Sequence, residues 1–381
     1  MKIEKITARE ISMRLKAPFE TSFGVTHDRR IVLIELHTSD AIGWAEVTAG
    51  EGPFYNPETT DTSWIIIRDF LVPFVLGKNF EDPGELGEAM SPVRGHEMAK
   101  ATIENAAWDA LARARNVPLG TLLGGTFQEI PSGVSLGIHK DIPSLIDRIA
   151  LELSAGYRRV KLKIKPGKDI SFVEAARTAY PEIALTVDAN SAYTLQDAPL
   201  LRQLDNFDLS YIEQPLAWNE IYQHAELQRS LKTPICLDEC IHNLRDVQAA
   251  LALEACGVIN IKLGRVGGHT NARNIQEYCR QHSIPVWCGG MLESGIGRAH
   301  NIAMSALPGF VMPGDVSASK RYWAEDVIEP EVEVTAQGTI VVPSGPGIGF
   351  EPKRELIEKL TVRSEEFITN AAASSYSAAS A

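Results

Sequence analysis

The chain has 381 residues, 44% of them apolar and 23% charged, an ordinary globular composition that excludes a fibrous or wholly disordered protein. Its 37 basic residues against 49 acidic ones leave a net charge of −12, which excludes general binding to nucleic acid or to an anionic membrane surface, since both require a basic face. Anionic small molecules stay open, because local charge decides those.

The N-terminus, MKIEKITARE, alternates charged with apolar residues and lacks the apolar core of a signal peptide. No apolar run approaches the ~20 residues of a membrane helix. Residues 31–37 (IVLIELH) and 44–47 predict strands. Residues 97–115 predict a helix with Ile103, Ala107, Ala110, Leu111 and Ala114 on one face, stopped by Asn116-Val117-Pro118. Residues 21–30 (TSFGVTHDRR) and 50–60 (GEGPFYNPETT) are crowded with turn formers and read as loops.

Beyond about residue 125 the pattern changes. The runs SGVSLGI, RVKLKIK, ALTVDAN, LSYIEQP, PICLDEC, GVINIKL, PVWCGG and GFVMPGD alternate with helical stretches, which implies parallel βαβ units. The first polar or special residue near the end of each run is Ser135, Lys163, Asp188, Glu213, Asp238, Lys262, Gly289 and Asp315. Successive spacings of 28, 25, 25, 25, 24, 27 and 26 residues predict an eight-stranded parallel βα barrel. A doubly wound open sheet is the alternative, but it rarely keeps so even a period. After residue 330 come a strand (GTIVVP), a Gly/Pro turn and a helix near 353–360 that could pack back onto the first domain. Residues 371–381 read as a frayed, low-complexity tail. Five cysteines (Cys236, Cys240, Cys256, Cys279, Cys288) without framework spacing predict buried free thiols in a reducing, cytoplasmic compartment.

Active sites of such barrels lie at the C-terminal ends of the strands. Asp188, Glu213 and Asp238 end the third, fourth and fifth predicted barrel strands. Adjacent strands lie about 4.8 Å apart, so three carboxylates can converge on one hard cation, Mg²⁺ or Mn²⁺. Lys163 and Lys262 end the second and sixth strands, diametrically opposite in a ring of eight. That places two bases on either side of one carbon. A carboxylate substrate on the metal would lose its α-proton to one lysine, giving an enediolate whose second charge the cation stabilises. A lysine base must be partly neutral near pH 7 against an ordinary value of about 10.4. Lys161, on the same face as Lys163, and the metal supply a positive field that favours this. The alternative for Lys161 is a structural ion pair with an acid of the third strand. The glycines of 264–268 and 289–297 read as tight turns near substrate, and His269 reads as loop surface.

The motifs KLKIK, VDAN, IEQP, LDEC and NIKLGRVGG, in this order and spacing, resemble the muconate-cycloisomerase-like subgroup of the enolase superfamily. Within it the chain is most similar to the o-succinylbenzoate synthase / N-succinylamino acid racemase family. The likeness extends through WCGGMLESGIGRAHN and GDVSAS and omits only the Ala/Ser tail. It implies an α/β fold, a modified (β/α)₇β TIM-type barrel (126–330) under an N-terminal α+β capping domain (1–125), with residues 331–370 returning to the cap. It implies Mg²⁺ on Asp188, Glu213 and Asp238, with Mn²⁺ as a substitute. Lys163 and Lys262 take the catalytic positions. Lys161, Asn190, Ser135 and the Gly290–Met291–Leu292 turn match substrate-pocket positions, and Phe19 and Tyr55 lie on the lid loops 19–30 and 50–60. Glu239 and Arg265 match supporting positions, Arg265 as a charge tuning Lys262 or as an ordinary salt bridge. Gly50 departs from members that carry a bulky apolar residue there.

Two reactions follow from the resemblance. One is dehydration of 2-succinyl-6-hydroxy-2,4-cyclohexadiene-1-carboxylate to 2-succinylbenzoate, a lyase step of menaquinone biosynthesis. The other is racemisation of N-acylamino acids, N-succinyl ones included. The implied partner is a small-molecule carboxylate, with no nucleic acid and no membrane, and homo-oligomers are compatible with the family. A dipeptide epimerase or a muconate-type cycloisomerase is the alternative enzyme, although the segment 314–317 carries one Asp where epimerases tend to carry two. A non-catalytic barrel binding a carboxylate is the alternative outside enzymes.

Overall fold

The structure is a computed structural model and describes residues 1–369. The tail predicted at 371–381 lies outside the described residues. An antiparallel sheet of β1 (Ile3–Thr21), β2 (Gly24–Thr38) and β3 (Ile42–Glu46) forms first. Alternation sets its faces: Ile6, Ala8, Ile11 and Met13 are buried on β1. Residues 21–30, expected as a loop, are instead the tip of a β1–β2 hairpin turning at Ser22-Phe23. Glu20 pairs with Val25 and Phe19 with Thr26 across it. Its polar residues hid the strand pattern because this end projects beyond the sheet's core and buries no continuous face.

The helix Glu97–Ala114 lies across β3, as the periodicity predicts, but it is buried almost all round rather than on one face. Ala114 is exposed, whereas Glu104, Asn105 and Asp109 are buried. These polar side chains satisfy backbone of neighbouring segments. Glu104 accepts from Thr270 N (3.0 Å), and Asp109 accepts from Trp44 N (2.8 Å) and Ile348 N (2.7 Å).

The second layer is one parallel sheet in chain order: β5 (Gly133–Leu136), β6 (Arg159–Lys163), β7 (Ala184–Asp188), β8 (Ile212–Glu213), β9 (Ile235–Leu237), β10 (Val258–Ile261) and β11 (Val286–Cys288). The eighth predicted strand closes the ring by single bonds rather than as a strand. Asp315 N donates to Cys288 O (2.9 Å) and Gly133 N to Gly314 O (2.8 Å). Pro313 removes a donor from this segment and Gly314 weakens it as a strand. A capped TIM-type barrel is the result.

The chain end ties the layers together. β4 (Glu129–Pro131) pairs with β13 (Thr339–Val341), and β12 (Ile328–Glu329) with β14 (Glu351–Pro352). The helix Arg354–Leu360 leads into β15 (Thr361–Ile368), which adds to the outer edge of β1.

All five cysteines are buried and unpaired, as expected. His269 departs from its reading as loop surface: it is fully buried at the start of the helix His269–Gln281. His300 Nε2 donates to Trp44 O (2.7 Å), so its Nδ1 accepts from His269 Nε2 (2.8 Å), a neutral pair bridging cap and barrel. Among the described residues no helix is long and apolar enough to cross a membrane.

Gly43 lets β3 approach the long helix closely, since a Cβ there would stand well within van der Waals contact distance of Ala106 O. Gly43→Ala is expected to destabilise the fold by about 1–3 kcal/mol, the usual cost of overpacking, read as a lowered midpoint in urea unfolding. An unchanged midpoint would contradict this packing.

Candidate active site

Register brings the acids together. Lys163 pairs with Asp188 across β6–β7, Asp188 with Glu213 across β7–β8, and Glu213 with Cys236 across β8–β9, so Asp238 follows two residues on, facing the same way. All three carboxylates are buried. Lys161 Nζ stands 2.7 Å from Glu213 Oε2, 3.2 Å from Asp188 Oδ2 and 2.6 Å from Asp315 Oδ2. Lys163 Nζ stands 2.5 Å from Asp188 Oδ2 and 2.6 Å from Asn190 Oδ1. Across the barrel, Lys262 Nζ donates to Asp238 Oδ2 (2.9 Å) and Tyr55 OH (3.0 Å).

Charge at these tips is set by burial working against pairing. Burial opposes ionisation of Asp188 and Asp238. Lys163 and Lys161 overcome it at the first, Arg265 and Lys262 at the second, and both carboxyls are held below the usual range. Glu213 is less compensated: burial, then the adjacent Asp188, push it up to about 7. Burial and the neighbouring Asp238 and Asp188 drive Glu239 well above its ordinary value. On the basic side, burial opposes charge on Lys161, yet Asp315, Glu213 and Asp188 hold it a cation. Three acids thus surround Lys161, among them Asp188 at the tip of the third barrel strand, and their charge offsets its field at Lys163.

Among the described residues no three His, Cys, Asp or Glu side chains stand close enough to enclose a metal ion as they are placed, since each acid is turned toward a cation. The donor set nevertheless fits a hard divalent cation. It offers only carboxylate oxygens from three successive strand tips, its central member is under-compensated, and Glu239 Oε2 beside it is buried with no partner.

Both lysines line the same open space. A cavity of about 440 Å³ holds Phe19, Tyr55, Lys163, Asn190, Lys262 and Met291 on its walls. A recess of about 50 Å³ continues inward past Ser135, Lys161, Gly290, Leu292 and Tyr322. Ser135 Oγ is buried without a partner at this recess, free to bond a ligand. Phe19 packs edge-on against Tyr322, ring centroids 6.4 Å apart. Leu292 takes a left-handed conformation, φ 58°, which turns the 290–292 segment along the wall.

Two supporting residues sit as follows. Glu239 Oε1 accepts from Asn190 Nδ2 (3.0 Å), behind Lys163. Arg265 does not bond Lys262. Its guanidinium pairs with Asp238 Oδ1 and donates to Tyr55 OH (2.9 Å) and to Ile241 O and Asn260 O (2.6 Å each). Three residues were missed in the sequence. Asn260 Nδ2 donates to Glu213 Oε1 (2.9 Å), Gln214 Oε1 accepts from Asp238 N (3.0 Å), and Arg159 pairs with Asp315 (2.7 Å). Asn260 lies two residues before Lys262 and so on the same strand face, a signal that could have found it.

Residues 3–124 match the mandelate racemase / muconate lactonizing enzyme N-terminal domain, and residues 145–356 match the enolase C-terminal domain-like family. The chain is 48% identical over 360 residues to an o-succinylbenzoate synthase of Geobacillus kaustophilus, covering 94% of this chain and 96% of that one. It is 43% identical over 362 residues to an N-succinylamino acid racemase of Thermus thermophilus, covering 95% and 98%. A solved enolase-superfamily member from Listeria innocua superposes with a TM-score of 0.94 at 42% identity, over 97% of this chain and 100% of that one.

Lys161→Met leaves Asp315, Glu213 and Asp188 without their shared cation. The expected result is a loss of about 3–5 kcal/mol of stability, the cost of breaking a buried pair by removing one partner, read by chemical denaturation. A loss under about 1 kcal/mol would show that these acids do not depend on Lys161.

Proposed function

The chain belongs to the enolase superfamily, and we propose on that premise that it dehydrates 2-succinyl-6-hydroxy-2,4-cyclohexadiene-1-carboxylate to 2-succinylbenzoate and racemises N-succinylamino acids. One observation carries this reading. Lys163, on β6, and Lys262, just past β10, line one cavity, and Asp188, Glu213 and Asp238 stand at the tips of the three strands between them.

Asp188, Glu213 and Asp238 are the residues that would hold a divalent cation, Mg²⁺ or in its place Mn²⁺. Bound there, it would supply positive charge beside the substrate carboxylate, where negative charge grows as the α-proton leaves.

In the dehydration, Lys163 Nζ takes the α-proton, and the carbon–hydrogen electron pair passes into an enolate. The hydroxyl on the adjacent carbon departs from the same face, where the proton taken by Lys163 is at hand to leave with it as water. Lys262, held as a cation by Asp238 against the opposing effect of burial, faces the other side of the developing charge. In racemisation the two lysines act from opposite faces: one removes the α-proton and the other returns one. Ser135, Met291 and Leu292 shape the space for the acyl arm, and Phe19 and Tyr55 shut it from water. Five buried thiols support a reducing, cytoplasmic setting.

Purified protein assayed with Mg²⁺ on both substrates tests the reading. Lys163→Ala is expected to slow 2-succinylbenzoate formation by roughly 10²–10⁴-fold, the usual contribution of a positioned base. Full activity in that variant would reject the mechanism, and turnover of neither substrate by the wild type would reject the function. Asn260→Ala removes the bond that orients Glu213. It is expected to weaken Mg²⁺ binding, measured by calorimetry, by roughly 10–100-fold. Unchanged binding would separate Glu213 from the metal.

A further inference from the structure

The two lid elements rest on opposite halves of the barrel. The loop 50–60 reaches the β9–β10 side, where Tyr55 OH meets Asp238 Oδ1 (3.2 Å) and Lys262 Nζ (3.0 Å). The β1–β2 hairpin rests on the other half, on the segments that follow β5, β6 and β7. Ile138 N donates to Glu20 O (2.9 Å), Lys165 Nζ pairs with Glu20 Oε1 (3.0 Å), and Ser22 Oγ donates to Asn190 O (3.0 Å). Gly137 permits this approach, because a Cβ there would stand 2.9 Å from Glu20 O and 3.0 Å from Glu20 N.

Asn190 is the junction between hairpin and base. Its backbone is left-handed, φ 43°, as is that of Ser191, φ 63°, a conformation uncommon for residues other than glycine. The fold sustains it from several sides. Asn190 N donates to Asp188 Oδ1 (3.0 Å), its Nδ2 to Glu239 Oε1 (3.0 Å), and its Oδ1 accepts from Lys163 Nζ (2.6 Å). Ser22 supplies the hold from outside, on the carbonyl of the same residue. Lys165 and Glu20 are each more than a third exposed, so their pair adds little. The Ser22 bond and the close packing at Gly137 carry the contact.

We propose that the hairpin tip positions Lys163: Ser22 is a positioning residue that acts through Asn190, and docking of the hairpin sets this lysine and leaves Lys262 alone. The proposal rests on the two-lysine reading above. In that reading each enantiomer of an N-succinylamino acid presents its α-proton to one lysine only, so a device that serves one lysine is visible as a selective effect.

The test follows α-proton exchange with D₂O for each enantiomer separately, by proton NMR, before inversion. The enantiomer whose exchange is abolished by Lys163→Ala is the Lys163-dependent one. Ser22→Ala is expected to slow exchange of that enantiomer about three- to tenfold, the effect of one hydrogen bond, and to leave the other within about twofold. Gly137→Ala pushes the hairpin outward without removing a polar group and is expected to show the same selectivity. Equal slowing of both enantiomers, or slowing of neither, overturns the proposal. Amide hydrogen exchange of residues 19–26 is measured in parallel without substrate. Faster exchange in both variants than in the wild type is expected, and unchanged protection overturns the proposal by itself. Wild-type protein that exchanges neither enantiomer rejects the two-lysine reading, and the amide measurement still decides whether the hairpin is held as described.

Discussion

Carboxylates and cations share the closed centre of this barrel, and neither set is tolerable there without the other. Asp188, Glu213, Asp238, Glu239 and Asp315 meet Lys161, Lys163, Lys262, Arg265 and Arg159 with almost no access to water. Removing any one would strand a charge in a medium that cannot solvate it. The parallel sheet imposes the arrangement, because strands about 4.8 Å apart force polar residues at equivalent tips into one another's field. A run of acids on and beyond β7, β8 and β9 is therefore enclosed by lysines, one on β6 and one after β10. The rest of the site follows from that enclosure.

The centre is balanced without being closed. Lys161 and Arg159 are committed to Asp315 and the wall, and Trp287 packs under both, 4.7 Å from the Lys161 ammonium and 5.4 Å from the Arg159 guanidinium. Lys163 and Lys262 differ in that they reach the open cavity while still bonded to an acid. Glu213 and Glu239 keep incomplete compensation. These ion pairs thus define the floor, and the two lysines that reach the cavity above it are the ones the proposed function sets to work on the substrate. The cap completes the enclosure from two directions, with Tyr55 over Lys262 and the hairpin over the loop that holds Lys163.

The barrel and its strand-tip residues were legible because each tip recurs at nearly the same interval and carries a polar residue where a buried strand should not. Asp188, Glu213, Asp238, Lys163 and Lys262 all stood out this way, and the structure sets the three acids at neighbouring strand tips with a lysine on either side. What stayed hidden has physical causes. The hairpin at 21–30 reads as a loop because an extended arm that lies over a barrel needs no buried face. β15 alternates between half-buried and exposed residues and so shows no apolar stripe. His269 looked like surface because its partner, His300, is distant in sequence. Asn260 bonds the Glu213 carboxylate and Gln214 the Asp238 backbone N–H, and neutral side chains beside charged strand tips are easily passed over. Asp315 was visible as a strand tip, but its commitment to Arg159 and Lys161 depends on the ring closing.

The central claim is that the acids on and beyond β7, β8 and β9 hold one divalent cation between the two lysines. Diffraction from crystals grown with Mn²⁺, collected at the manganese absorption edge, tests it most directly. The account predicts one anomalous peak in coordination contact with Asp188, Glu213 and Asp238, with Lys161 still paired to Asp315. A peak on any other set of residues, or none at saturating Mn²⁺, would contradict it.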